Sequence, residues 1–251
     1  WMYINRCKFN DTKTECLVIG RQPQLKHVSI ETITVGSSQI TPTDSARNLG
    51  VIFDSNMNLK NHISAVCKKS YFQLQNLYHI RKYITKSACE TLVHAFITSR
   101  LDYCNSLLAG LPACDISKLQ HVQNTAARLV TKTRKFDHIT PVLIELHWLP
   151  VAERIKYKVL LLTFKSLHNQ APMYLQALLT PHNPVRALRS SDKHLLVVPK
   201  SRLVSSGDRA FSVMAPKLWN SLPLWVRSSD SVESFKRDLK TELFKQAYGL
   251  Q

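Results

Sequence analysis

Carboxylates are scarce in this sequence. Seventeen Asp and Glu stand against thirty-four Lys and Arg, a net charge of +17, and no two Asp are adjacent. A two-metal nucleotidyl transferase needs carboxylates gathered closely around Mg²⁺ at the reacting phosphate. Here Asp54, Asp102 and Asp115 stand apart, and each reads as a cap or surface group. Glycine is equally rare, six in 251 residues, which together with long periodic apolar runs favours helix over a sheet-rich fold. A G-x-S-x-G elbow, a Walker-type phosphate loop and a dinucleotide fingerprint are all missing, which removes the enzyme classes built on them. The six cysteines, at 7, 16, 67, 89, 104 and 114, form no C-x-x-C and no paired metal spacing. They are expected to be buried, reduced thiols of an intracellular protein, nuclear or cytoplasmic, and no metal site is expected. Apolar runs are too short or too charged to cross a bilayer, so no membrane partner is expected. The first residues, with Arg6, Lys8, Asp11 and Lys13 and no apolar run behind them, do not read as a secretory signal. The chain opens on Trp1 rather than Met, and the expectation is a fragment of something longer.

The positive charge that is present is uneven. Residues 1–55 hold six basic and five acidic side chains, whereas 56–251 hold twenty-eight and twelve. The excess therefore belongs almost entirely to the second part. Its natural partner is a polyanion, because every phosphate neutralised releases condensed counterions.

The periodicity changes at the same place. Up to residue 55 short alternating segments, Glu15–Gly20, His27–Ile30, Thr32–Val35 and Asn48–Phe53, predict strands separated by polar turns, with the end of a helix before them at 1–8. From Asn56 on, helical spacing takes over. Leu59, Ile63, Val66, Leu74 and Leu77 predict one helix running to Tyr83. Ser87 with Glu90 reads as a capping box for a second, whose stripe is Leu92, Val93, Phe96, Ile97, Leu101, Leu107 and Leu108 and closes at Gly110. Pro112 and Asp115 open a third, striped by Ile116, Leu119, Val122, Ala126, Leu129 and Val130. Further helices are predicted over 151–167, from Pro172 to near Leu179, over 208–220 with a break or kink at Pro216, and over the C-terminal residues, started by Asp230 with Glu233 and striped from Val232 on. A basic loop is expected over 180–192 and a short strand over 195–198. The fold class that results is α+β and mostly α: a short N-terminal antiparallel β portion over 1–55, a helical bundle over 56–136 and a basic helical region over 137–251.

The most distinctive stretch is His138–His168. A Pro-bounded apolar turn (Pro141, Val142, Leu143, Leu146, Trp148, Leu149, Pro150) runs directly into the helix from Val151. It contains no reactive grouping, and His138 and His147 have no cysteine at zinc-site spacing. The prediction is an elbow held by Trp148 and Pro150 that directs Arg154, Lys156 and Lys158 outward. Trp219 is assigned the same structural role in a second Pro-aromatic turn, 219–225. Tyr71, Tyr78, Tyr83, Trp148, Tyr157, Trp219 and Trp225 could stack on bases, but at helical spacing they are expected mainly in the core. Phosphate contacts are expected from Lys68, Lys69, Arg128, Lys132, Arg134, Lys135, Arg154, Lys156 and Lys158.

Several blocks, taken in order, carry a family likeness: NLGVIFDSNMNLKNHISAVCKKS, SRLDYCNSLLAGLP, KLQHVQNTAARLV, PVLIELHWLPVAERIKYKVLLLTFKSL, AFSVMAPKLWNSLP and SFKRDLKTELF. Together they resemble the C-terminal part of reverse transcriptases of non-LTR retrotransposons, the long interspersed elements of the jockey-related clade. The resemblance implies that 1–55 is the end of a polymerase palm, 56–136 a helical thumb and 137–251 a C-terminal extension. Lys13 would match the palm lysine proposed to assist proton transfer to pyrophosphate, a weak catalytic candidate. The resemblance also implies Mg²⁺ in the intact enzyme and an RNA or RNA–DNA duplex as partner. The family's Asp-Asp motif does not occur in these 251 residues, so no cofactor and no polymerisation are expected of this chain alone. Two alternatives remain from the residues: a helical module that binds a protein through exposed Pro-Trp turns, 146–150 and 219–225, and a retroelement relic without function.

Overall fold

A computed structural model describes residues 4–6, 10, 13–36, 38–182, 194–201, 203 and 206–250. It is mostly helical, with a few short strands confined to the N-terminal part, as the α+β expectation requires. The chain divides into two compact units, residues 1–65 and 66–251. That division falls inside a helix. The helix expected over 1–8 and most of the basic loop over 180–192 lie outside the described residues.

In the first unit, β1 (Cys16–Leu17) pairs in parallel with β4 (Pro42–Thr43), β2 (Ile33–Val35) pairs antiparallel with β3 (Ser38–Ile40), and β5 (Ser45–Asn48) pairs antiparallel with β6 (Val51–Asp54). The expected all-antiparallel arrangement is thus corrected at one ladder. Residues 27–30 are not a strand; a short helix, α1 (Gln22–Leu25), precedes them. The segment Asn48–Phe53 is not one strand either. Asn48 faces Val51, and Leu49 (φ 45°) and Gly50 (φ 84°) form the two-residue turn between them. Positive φ at both central positions is what a type I′ hairpin demands, and glycine supplies the second without a Cβ penalty. Asp54 ends the hairpin. Its buried carboxylate accepts the N–H of Asn56 (3.1 Å), Asn58 (3.0 Å) and Leu59 (2.6 Å). Those bonds hold a turn in which Met57 and Leu59 both take positive φ. Out of it comes α2 (Lys60–Ile80), whose first turns bury Leu59 and Ile63 with Val51.

In the second unit, α3 (Lys86–Val93), a five-residue π segment (His94–Thr98) and α4 (Ser99–Asp102) run on from one another. The cap is Thr85, not Ser87: Thr85 Oγ1 accepts the N–H of Ala88 at 3.1 Å. A left-handed Cys104 and Gly110 (φ 72°) bracket a 3-10 turn that leads to α5 (Ala113–Thr131). A Cβ on Gly110 would stand 2.6 Å from Arg209 Cγ. Next come α6 (Thr140–Glu145), α7 (Val151–Leu167), α8 (Met173–Gln176), α9 (Phe211–Ser221), α10 (Leu224–Arg227) and α11 (Val232–Tyr248). The organising helix is α7. It buries Val151, Ile155, Val159, Leu160, Thr163 and Phe164, too wide an apolar arc for a surface helix. It packs on α4, α5, α8, α9 and α11. Phe164 stacks on Phe235 at 4.2 Å between ring centres, and Trp219 closes the cluster.

Two expectations fail here for local reasons. Helix α9 continues through Pro216, because the core holds its far end. Trp219 Nε1 donates to the His194 carbonyl at 2.8 Å, and the Asn220 amide makes a donor–acceptor pair with the Leu196 backbone. That pair occupies the edge where a strand was expected over 195–198, leaving one isolated bridge, Pro181 to Leu196. Of the described cysteines, Cys16, Cys67, Cys89, Cys104 and Cys114, all are free thiols but only Cys89 is buried, which corrects the expectation of buried thiols. No described helix is long and apolar enough to cross a membrane.

Candidate nucleic-acid interface

The last turns of α2 and the outer side of α5 face each other across an open groove of about 1060 Å³. From α2 come Tyr71, Leu74, Gln75 and Tyr78, at the i, i+3, i+4, i+7 spacing that shares one helix face. Opposite, α5 contributes His121, Asn124, Thr125, Arg128 and Leu129, and the chain beyond it Lys132, Thr133 and Lys135. No lining residue is Asp or Glu. The helix C-termini set this geometry. The final carbonyls of a helix have no intrahelical partner, and Arg81 supplies one: its Nε donates to Leu129 O and its Nη2 to Val130 O, both at 2.8 Å. A cation there is also favoured by the helix dipole. Lys132 then takes a left-handed conformation (φ 59°) that turns the chain out of α5. Arg128 folds the following segment back, donating to the carbonyls of Arg134 (3.3 Å) and Asp137 (3.0 Å), while Arg134 N–H donates to the Asp137 carboxylate.

Of the nine expected phosphate contacts, the groove gathers Arg128, Lys132 and Lys135. Lys68 and Lys69 are exposed on α2 but do not line it, and Arg134 is exposed on the turn beside it. The α7 residues are elsewhere, and Arg154 is not outward. Its Nη1 donates to the Asp102 carboxylate at 2.9 Å and its Nε to Leu149 O at 2.8 Å, with 17% of the side chain exposed. Asp102 lies 52 residues upstream, a partner that no local spacing could announce. Lys156 is tied to Glu153 at 2.8 Å. Lys158 joins Arg154, His94, His147 and Lys240 around a smaller cavity of about 380 Å³ beside Trp148. The aromatics split. Trp148 and Trp219 are buried as expected, while Tyr71, Tyr78, Tyr83 and Trp225 are exposed. On the α2 side of the groove, Tyr71 and Tyr78 were candidates for stacking but expected mainly in the core, and Arg81 was not among the expected contacts.

The elbow is a joint, and α5 holds it. His147, at φ 52°, occupies the position that glycine usually takes after a helix: its N–H donates to Ile144 O at 3.0 Å, and Trp148 N–H donates to Leu143 O at 2.9 Å. These are the paired bonds of a Schellman end. Gln123 donates to Leu149 O and Gln120 accepts Val151 N–H, both at 2.8 Å, so α5 grips both sides of Pro150. Leu146, Trp148 and Leu149 are buried, which removes 146–150 as an exposed docking turn. In the second turn Leu224 and Trp225 remain exposed.

At the far end Tyr248 donates its hydroxyl to Trp148 O at 2.6 Å, docking α11 on the elbow. Burial pushes this phenol up to about 12, against a pull downward from Arg154. An acid held neutral more firmly in the folded chain than in the unfolded one, about 10, stabilises below pH 10 and loses that contribution as pH rises towards 12. Tyr248→Phe should cost about 1 kcal/mol at neutral pH, and its deficit against wild type should shrink between pH 8 and pH 11 in urea titrations. A deficit independent of pH would mean that the phenol does not dock there.

Lys13 is exposed, and no described group of three or more His, Cys, Asp or Glu is placed to hold a metal ion. Of the aspartates singled out in the sequence, Asp54 accepts backbone N–H groups, Asp102 pairs with Arg154 and Asp115 Oδ1 pairs with Lys118. No protein-family model matches this chain, and no curated protein or solved structure matches it either.

Proposed function

We propose that this chain is the nucleic-acid-holding part of an RNA-directed DNA polymerase of a non-LTR retrotransposon, and that the groove between α2 and α5 grips an RNA or RNA–DNA duplex by its backbone. The observation that supports the reading is the groove's lining: two exposed lysines, Lys132 and Lys135, the guanidinium of Arg128 held between them in the turn, two exposed tyrosines and no carboxylate. Cations on flexible stems find phosphates regardless of base, and tyrosine rings offer faces on which a splayed base or a sugar can rest. Such contacts fix position and carry no sequence code. Residues 1–55 would be the end of the palm, 56–136 the thumb and 137–251 the C-terminal extension, on the strength of the sequence resemblance. Catalysis is not assigned, because the Asp-Asp motif of that family does not occur in these 251 residues.

The test is a binding titration with an RNA–DNA duplex across salt concentration. With three groove cations engaged, log affinity should fall with a slope near −3 against log salt, about 40-fold between roughly 50 and 200 mM. Retention that is equally weak at every salt concentration would sink the proposal.

A further inference from the structure

A second site lies away from the groove, at α10. Arg227 is 8% exposed, and its Nε and Nη1 are buried without a hydrogen-bond partner. It lines a cavity of about 460 Å³ walled by Leu167, Leu196, Pro181 and Trp219. A guanidinium is among the costliest groups to bury unpaired, since its charge loses water and gains nothing in return. Desolvation accordingly pulls its proton affinity below the usual arginine range. Among the described residues no neighbour compensates. Ser228 and Ser229 donate their hydroxyls to the carbonyls of Leu224 and Val226. His168 Nδ1 is engaged with Phe164 O, while the ring stacks on Phe164. Asp230 also lines the cavity, yet neither Nε nor Nη1 of Arg227 donates to it.

We infer that this cavity is a binding site for a small oxyanion, a carboxylate or phosphate on a compact apolar body, with Arg227 as the anion-binding residue. The charge is what the guanidinium lacks, and charge-assisted bonds to an oxyanion would satisfy its stranded donors. The apolar body is what Trp219 and the leucines would cover. A recessed arginine in a cavity this small suits a free small molecule better than a duplex backbone, which the α2–α5 groove meets at the surface. The inference is independent of the reading of that groove.

The experiment is a thermal-melting titration of the full chain with inorganic phosphate, ionic strength held constant with chloride. Lys132→Gln and Lys135→Gln are included so that the groove contributes little. The melting temperature should rise saturably, by about 3–6 °C at a tenfold excess over the dissociation constant. Arg227→Met should abolish the rise and, without phosphate, melt no lower than its parent, because an apolar side chain replaces an unpaired buried charge. No rise in the parent, or an equal rise in Arg227→Met, would overturn the site. If the Met variant does not fold, Arg227→Lys decides. It keeps the charge without the planar fork: a response weakened tenfold or more supports the site, and an unchanged one overturns it. A rise with RNA–DNA duplex, absent with phosphate and lost in Arg227→Met, would reassign the arginine to a phosphate backbone and overturn the small-ligand reading.

Discussion

Reversing Lys132 and Lys135 together to Glu should weaken binding of an RNA–DNA duplex by on the order of 100-fold at roughly 50 mM salt. The figure follows from counterion release: two lost phosphate contacts remove about 1.8 from the salt slope, which from ~50 mM to the ~1 M range, where the effect vanishes, amounts to ~200-fold. The slope itself should drop from near −3 to near −1. The fold should survive. Both side chains are exposed and neither holds a hydrogen bond that shapes the turn, so the cost is about 1 kcal/mol or less, mostly a lost cation near the α5 C-terminus. Arg128 is the wrong residue for this test. Its guanidinium carries the turn over 134–137, and its replacement would move the groove as well as its charge. Unchanged affinity in the Lys132→Glu, Lys135→Glu chain, with an intact melting profile, would exclude the α2–α5 groove. Reversal of Lys156 and Lys158 is the matched control on α7: the same charge change away from the groove should cost far less.

Which parts could be read in advance follows from where periodicity dominates. Helix α7 was expected over 151–167 and spans Val151–Leu167, and the apolar stripe expected for the C-terminal helix falls within α11. In both, an apolar face repeats over four turns or more, although the start of α11 was expected at Asp230 with Glu233 and the cap is Ser231. The N-terminal unit defeats that reading because its strands are two to four residues long, too short for alternation to register. There the turn chemistry decides: Gly50 makes Asn48–Phe53 a hairpin, and Asp54 makes the next turn by capturing three N–H groups, a role no spacing rule assigns. The groove was half legible. Lys and Arg after α5 announced themselves by charge, but Tyr71 and Tyr78 on α2 fall on spacing that core residues share, next to buried Leu74 and Leu77. Tyrosine is amphipathic, so its place at the edge of a stripe leaves both outcomes open until the neighbouring helix is positioned. Arg154 failed in the opposite direction. Its α7 register is solvent-facing in sequence, and only the arrival of Asp102 and Leu149 O draws it inward.

Trp148→Ala should lower the stability of the helical unit by about 3–5 kcal/mol, the range for removing a large buried aromatic. The indole is 3% exposed and lies 5.4 Å from the His94 ring, while its backbone is the anchor for Leu143 on one side and Tyr248 on the other. The cavity left by alanine would open where α6 and α11 meet the head of α7, and little nearby can collapse into it, because Leu146 and Leu149 are already packed. For a domain whose total stability is about 5–15 kcal/mol, a loss of that size should shift the urea midpoint by a molar or more and could be followed by far-UV circular dichroism. The indole N–H makes the experiment sharper. Trp148 Nε1 is buried with no hydrogen-bond partner, so it adds nothing to the folded state and carries a desolvation cost of about 1–3 kcal/mol. Trp148→Phe discards that donor while keeping most of the ring, and should therefore cost under about 1.5 kcal/mol. The ordering Ala far below Phe, with Phe near wild type, is the signature of an elbow held by apolar packing. Equal losses for Phe and Ala would assign the stabilisation to the indole nitrogen instead. An unchanged midpoint in Trp148→Ala would remove the elbow from the parts that hold α5 and α7 in register.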